Sequence, residues 1–137
     1  MADAVGVVVA HGGLARALVE AVEGISGVRG ALVPVSNADC TPEELERRVS
    51  ERVGSAPAVV FIDMASGSCA FAGRKAARAV EDAAVVTGVS LPMLLDFVFH
   101  RDMTPEELAA RVVGKGKDAA RALPPRGAHG DRRADPD

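Results

Sequence analysis

The chain has no tryptophan, no tyrosine and only four phenylalanines among its 137 residues. Any aromatic platform for stacking a sugar or a base would therefore have to be built from phenylalanine. The chain also has no excess of basic residues: its 16 lysines and arginines are outnumbered by 19 acidic residues, which leaves a net charge of −3. This balance argues against a nucleic-acid partner, which normally requires a basic excess or stripe.

Cysteine and histidine are equally sparse. The two cysteines, Cys40 and Cys69, and the three histidines at 11, 100 and 129 show no metal-type spacing. We therefore expect no metal site and the reduced cysteines of a cytoplasmic protein. No apolar run approaches the roughly 20 residues that span a bilayer, and the acidic Asp3 near the start does not fit a secretory signal.

Hydrophobic periodicity divides the chain into alternating strands and helices, followed by a tail. The order β-α-β-α-β-α-β-α-α predicts a single α/β domain over residues 1–123 with an open, mainly parallel four-stranded sheet, strand order 2-1-3-4, and helices on both faces. Residues 124–137 are polar and begin with two prolines, which predicts a disordered tail. The predicted strands cover 4–10, 31–35, 58–63 and 84–87, and the predicted helices cover 13–25, 41–53, 70–81, 91–100 and 104–123.

An ionisable side chain follows the first predicted strand. His11 comes directly after the apolar run 4–10 and before Gly12 and Gly13, where the first helix begins. Ligands of open α/β sheets bind at the carboxyl ends of the strands, and a helix start offers free N–H groups to anions. A histidine in this place favours phosphoryl chemistry, with the two glycines as phosphate-binding residues.

A carboxylate follows the third predicted strand. Asp63 would lie beside His11 if the first strand separates the second from the third. By accepting the Nδ1–H of the imidazole, it would leave Nε2 free as a nucleophile. Backbone N–H groups at Gly67 and Ser68, together with the Ser68 hydroxyl, would then hold phosphate oxygens.

Each of these residues also has a simpler interpretation. A histidine after a strand is usually a capping or hydrogen-bonding residue, and Asp63 could merely cap the next helix. A Gly-Ser turn is a weak signal, and Gly12-Gly13 does not match the dinucleotide fingerprint, so we expect no cofactor. The combination favours function because two reactive side chains fall at the ends of the strands that flank the predicted switch point.

Three segments together resemble a known family, the EIIA domain of the mannose-type phosphoenolpyruvate:sugar phosphotransferase system (PTS). They are the strand followed by His11-Gly12-Gly13-Leu14, the strand followed by Asp63-Met64 with Gly67-Ser68, and the segment Gly88-Val89-Ser90-Leu91-Pro92-Met93-Leu94. The resemblance covers roughly residues 4 to 120, and the last segment is its most specific part.

The resemblance implies a phosphotransferase that forms homodimers. His11 would accept a phosphoryl group from phospho-HPr and pass it to an EIIB-type or regulatory acceptor, with Asp63 as its orienting carboxylate. Gly67 and Ser68 would line the phosphate pocket, and the loop carrying Ser90, Leu91 and Pro92 would form one wall of the site. Such a domain would be peripheral to a membrane permease at most.

The turn after Asp63 departs from the family pattern, which usually reads Asp-Leu-Phe-Gly-Gly-Ser-Pro. Here it reads Asp63-Met64-Ala65-Ser66-Gly67-Ser68-Cys69. Two alternatives to the sugar phosphocarrier therefore stay open: a phosphocarrier subunit for dihydroxyacetone kinase, and a non-catalytic regulatory interaction domain of the same fold. The retained His11 and Asp63 favour the phosphocarrier.

Overall fold

The computed structural model describes residues 3–126 and contains the nine predicted elements in the predicted order. The strands are β1 (Val5–Ala10), β2 (Leu32–Ser36), β3 (Ala58–Ile62) and β4 (Ala83–Thr87). The helices are α1 (Leu14–Ser26), α2 (Pro42–Val53), α3 (Ser68–Arg78), α4 (Leu91–Val98) and α5 (Pro105–Ala119). Of the predicted tail 124–137, residues 127–137 lie outside the described part.

The four strands form one parallel sheet in the order β2-β1-β3-β4, as predicted. β1 and β3 are central because their side chains are apolar on both faces, and every residue of β3 is buried. β2 contains Pro34, which cannot donate to a ladder and suits an edge strand. The boundary between β1 and β3 is therefore the point at which the chain winds in opposite directions.

Helices cover both faces of the sheet and create two core layers. Successive residues of each strand point to opposite faces, so Val8 and Phe61 pack with α1, α4 and α5, whereas Val7 and Val60 pack with α2 and α3. In the first layer Phe61 and Phe97 meet edge to face, with ring centroids 5.3 Å apart. No helix within residues 3–126 combines the length and apolar character needed to cross a bilayer.

Helix α3 lies unusually close to β3, and this brings its first turn near the end of that strand. A Cβ built on Gly73 would lie 2.8 Å from the Ile62 Cδ1, closer than real Cβ contacts allow. A larger residue at this position would require the Ile62 side chain or the helix to shift. The close packing therefore helps to fix where α3 begins relative to Asp63.

Three helices end earlier than the periodicity predicts. α5 stops at Ala119 instead of near residue 123, and Ala120 already has extended backbone, with a ψ of 102°. α4 stops at Val98 instead of residue 100, and Phe99 and His100 make the tighter i→i−3 bonds of a closing turn. α3 is displaced from the predicted 70–81 to Ser68–Arg78, since Gly67 sets its start.

Candidate functional site

His11 and Asp63 meet at the carboxyl edge of the sheet, where β1 and β3 end side by side. The His11 Nδ1 lies 2.8 Å from Asp63 Oδ2, and the His11 backbone N–H donates to the same oxygen at 3.0 Å. The imidazole is 44% exposed, whereas the carboxylate is 10% exposed. The pairing predicted from the two strand ends is therefore present, with the ring open to solvent and its partner held inside.

The charge on Asp63 determines which ring nitrogen is free. Burial raises the pKa of Asp63, but the bonds from the backbone N–H and side chain of His11, together with its charge, lower it more, and the net pKa lies below the usual 3.8. The carboxylate is ionised at neutral pH and can only accept a hydrogen bond. In the neutral imidazole the proton therefore resides on Nδ1, and Nε2 keeps its lone pair.

The loop after β1 is held by residues that the sequence patterns did not indicate. Asn37 Oδ1 accepts from the Gly12 N–H at 3.0 Å, and the Ser36 hydroxyl donates to the Gly12 carbonyl at 2.8 Å. Gly12 itself has a φ of 59°, in the region that favours glycine. The signal for Asn37 was available, because this polar side chain follows the strand adjacent to β1.

These contacts decide which of the two glycine N–H groups is available to an anion. The Gly12 N–H, predicted to bind phosphate, is occupied by Asn37. Among the described residues the Gly13 N–H has no hydrogen-bond partner, and Gly13 is the N-cap of α1. Gly13 is thus the better placed of the two to meet an anion.

The turn after Asp63 leads directly into α3. Gly67 is the N-cap, with a φ of 98°, and Ser68 is the first helical residue; both are exposed. Cys69 follows and is fully buried. Burial and the nearby Asp63 charge raise the pKa of the Cys69 thiol to about 11, so it is protonated at neutral pH.

The helices that begin at this edge differ in how their first turns are capped. α2 begins with a capping box formed by Thr41 and Glu44. In the part of the chain that the structure describes, the N-caps of α1, α3 and α4, which are Gly13, Gly67 and Ser90, make no side-chain capping bond. The Leu14 N–H of α1 donates to the His11 carbonyl at 3.2 Å, and the remaining first-turn N–H groups of these helices have no side-chain cap within residues 3–126 to compete with an anion.

The segment predicted as a wall of the site follows β4. The Val89 N–H donates to the Ile62 carbonyl at 3.0 Å, which ties this loop to the end of β3 next to Asp63. The Ser90 hydroxyl is buried and finds no partner among residues 3–126. Leu91 and Pro92 form the first turn of α4, and Pro92 is exposed.

Apolar side chains project from the segments that carry the site. Leu14 starts α1, Met64 follows Asp63, and Phe71 lies in the first turn of α3; they are 44%, 53% and 61% exposed. Exposed apolar side chains beside a reactive group are typical of a surface that receives another protein. We call these three residues the apolar rim.

The sequence matches the family EIIA-man, described as "PTS system fructose IIA component", over residues 6–113. A comparison with curated protein sequences gives no significant match.

Solved structures with the same fold include phosphotransferase system component EIIA from Streptococcus agalactiae, with a TM-score of 0.80, 18% identity, and coverage of 86% of this chain and 95% of that one. Another is the mannose/sorbose specific IIA subunit from Enterococcus faecalis, with a TM-score of 0.76, 21% identity, and coverage of 90% and 96%. The PTS IIA protein associated with the fucose utilization operon of Streptococcus pneumoniae is also similar, with a TM-score of 0.69, 17% identity, and coverage of 88% and 96%.

Proposed function

Since the chain belongs to the EIIA-man family of PTS components, we propose that it is a phosphocarrier whose His11 accepts a phosphoryl group from phospho-HPr. The group then passes to an EIIB-type or regulatory acceptor. The observation that carries this proposal is the 2.8 Å contact between His11 Nδ1 and Asp63 Oδ2, which fixes the proton on Nδ1 of an exposed ring.

The chemistry needs a lone pair on Nε2 and an environment that tolerates negative charge. The Nε2 lone pair attacks phosphorus, a new N–P bond forms, and the bond between phosphorus and the donor breaks. The Nδ1–H stays between the ring and Asp63 and disperses the positive charge that develops on the imidazole. Phosphoryl transfer asks little more of a protein than positioning and electrostatic stabilisation.

The phosphoryl oxygens would meet N–H groups from two helix starts. Gly13 opens α1 beside His11, and Gly67 and Ser68 open α3 beside Asp63. Both helix termini lack a side-chain cap within the described residues, and their macrodipoles favour a dianion in front of them. The Ser68 hydroxyl adds a neutral donor. Ser90, Leu91 and Pro92 would close the site on the β4 side.

The donor and the acceptor would dock on the apolar rim. Each must bring its own reactive atom to Nε2, so contacts around His11 have to be shared by both partners in turn. Leu14, Met64 and Phe71 give such a surface without a fixed hydrogen-bond pattern. We include in this proposal a cytoplasmic location and a homodimeric state.

The proposal is tested by reconstituted transfer. Phosphoenolpyruvate, Enzyme I and HPr are mixed with the protein, and the product is analysed by mass spectrometry under alkaline conditions. We expect one acid-labile phosphate on His11, complete loss of labelling in His11→Ala, and unchanged labelling in His100→Ala. His100 is a matched control because its Nδ1 is bound to the Asp96 carbonyl at 2.7 Å, away from the strand ends.

The opposite result would be equally informative. If HPr labels a control EIIA protein but leaves this chain unlabelled, the phosphocarrier assignment is wrong and a non-catalytic interaction domain becomes the better description. His11→Ala is expected to remain folded, since the imidazole is 44% exposed and the backbone N–H of residue 11 keeps its bond to Asp63; circular dichroism checks this.

A further inference from the structure

The site contains three different kinds of metal-ligating side chain. His11, Asp63 and Cys69 each offer one ligand atom, and these atoms lie within 4.8 Å of one another. Among residues 3–126 this is the one such group of three. Spacing along the chain does not reveal it, because its members follow β1, follow β3 and enter α3.

A second observation at the same place points to a missing ligand. Asp63 Oδ1 is buried and has no hydrogen-bond partner among the described residues, although the side chain is 10% exposed. A buried carboxylate oxygen normally has a partner, since an unsatisfied one carries a desolvation cost. A cation held by this carboxylate would remove that cost.

We propose that His11, Asp63 and Cys69 bind a thiophilic divalent cation of the Zn²⁺ class. Nitrogen, oxygen and thiolate sulfur are the donors that zinc takes, at about 2.0–2.3 Å in tetrahedral sites. The donor atoms lie within 4.8 Å of one another, so small side-chain rotations that open the 2.8 Å pair of His11 Nδ1 and Asp63 Oδ2 and close any wider pair would give tetrahedral spacing. Three protein ligands leave a fourth position for water or an anion.

Binding would change the proton arrangement of the imidazole. The Nδ1 atom, 2.8 Å from Asp63 Oδ2, gives its lone pair to the cation, and its proton moves through solvent to Nε2. The Cys69 thiol releases its proton to solvent and binds as thiolate. The balance is one cation bound and one proton released.

This arrangement would switch off the reaction proposed above, and that consequence rests on the proposed function. A protonated Nε2 has no lone pair for phosphorus. The cation would therefore act as a reversible inhibitor by changing the tautomer, without covering the ring.

The metal site is tested first on the unphosphorylated protein with Co²⁺ and Zn²⁺ alone. We expect one Co²⁺ per chain with a near-ultraviolet thiolate-to-cobalt charge-transfer band that Zn²⁺ displaces. Cys69→Ser should lose the band and should bind Zn²⁺ more than about tenfold more weakly. Tenfold is a lower limit, because removing a residue that only supports a ligand already costs about 10- to 100-fold in metal affinity. Cys40→Ser is the matched control and should keep both.

A further measurement uses the wild-type chain and does not depend on any variant folding. Nitrogen NMR of the histidine rings should show the Nδ1 resonance of His11 shifting on Zn²⁺ addition while Nε2 becomes protonated. The site is disproved if no charge-transfer band appears, if Cys69→Ser retains it, or if the His11 ring does not respond.

The regulatory consequence has its own readout. Zn²⁺ should block labelling of the wild type by HPr and leave Cys69→Ser labelled at the same free Zn²⁺ concentration. Equal inhibition of both proteins would exclude control through this site. If neither protein is labelled even without Zn²⁺, the proposed function fails, whereas the metal site is judged by the cobalt and NMR results alone.

Discussion

At the scale of single residues, two hydrogen-bond donors of His11 converge on one oxygen of Asp63. This pair could be predicted because each residue follows a continuous apolar strand. Asn37 was missed, since its role depends on the conformation of the loop that brings Gly12 to it. The position of Cys69 beside His11 and Asp63 could not be predicted, because the spacing of the three residues along the chain does not show that they meet.

Asp63→Asn is expected to slow phosphoryl transfer while His11 remains in place. The change removes a charged acceptor, and a hydrogen bond to a charged group contributes about 1.5–3 kcal/mol, which corresponds to a roughly 10- to 150-fold lower rate. Rapid-quench measurement of labelling by phospho-HPr gives the rate. A rate equal to that of the wild type would show that Asp63 has only a structural role.

Asp63 should also make folding stability depend on pH in acid. The pKa of Asp63 is lower in the folded protein than its usual 3.8, so the folded state binds this proton less readily than the unfolded state. The stabilisation is fully present above the unfolded pKa and is lost as the pH falls through the folded pKa.

The measurement is urea unfolding of the wild type and of Asp63→Asn at pH 7 and at pH 3 or below. From the higher to the lower pH, the free energy of unfolding should fall further in the wild type than in the variant, because the other titrating groups are common to both proteins. An identical loss in both would contradict the direction of the shift.

At the scale of elements, local chemistry predicted where helices begin better than where they end. α2 and α5 begin as expected, because each Thr-Pro-Glu-Glu sequence forms a complete capping box within four residues. The end of α4 depends on the conformation of its last turn, in which Phe99 and His100 make i→i−3 bonds and the His100 side chain contacts the Asp96 carbonyl. Hydrophobic periodicity does not locate such a stop, because the same residues could also continue an α-helix.

The difference in capping can be measured directly. Thr41→Ala and Thr104→Ala each remove a side chain that accepts a first-turn N–H and should each lower the free energy of unfolding by about 1 kcal/mol. Ser90→Ala occupies the same N-cap position in α4 but removes a hydroxyl without a partner among residues 3–126.

For Ser90→Ala we therefore expect no loss of stability, or a small gain, because replacing an unsatisfied buried hydroxyl removes its desolvation cost. Urea titrations of the three variants under one set of conditions give the comparison. A loss in Ser90→Ala as large as in the threonine variants would show that its hydroxyl does cap α4.

At the scale of the whole molecule, the order of strands followed from which of them could be buried on both faces. β1 and β3 are the two continuous apolar runs, and the proline in β2 excluded that strand from the centre. The way the carboxyl edge presents the apolar rim could not be predicted, since the exposure of Met64 and Phe71 depends on the turn that α3 forms against the sheet.

The apolar rim should determine how well partners bind. Phe71→Ala is expected to raise the KM for phospho-HPr several-fold and to leave the thermal unfolding temperature unchanged, because the ring is 61% exposed. Ile25→Ala is a matched control: Ile25 is 64% exposed but lies in the last turn of α1, away from the strand ends. Steady-state labelling at varied phospho-HPr concentration gives the KM of each variant. Equal changes of KM in Phe71→Ala and Ile25→Ala would exclude docking at the rim.

The proline in β2 also makes the two edges of the sheet different. Ala31 and Asn37 bond to β1, so by alternation Pro34 and Ser36 face the outer side of β2. Pro34 offers no N–H there, and the Ser36 carbonyl is taken by the Arg48 side chain at 2.8 Å.

On the far side of the sheet, β4 contains no proline, and a groove of about 520 Å³ lies between this strand and Arg74 and Arg78 of α3. The two edges of the sheet therefore differ in their backbone groups: β2 lacks one outward N–H and has one outward carbonyl bonded, whereas no proline interrupts β4.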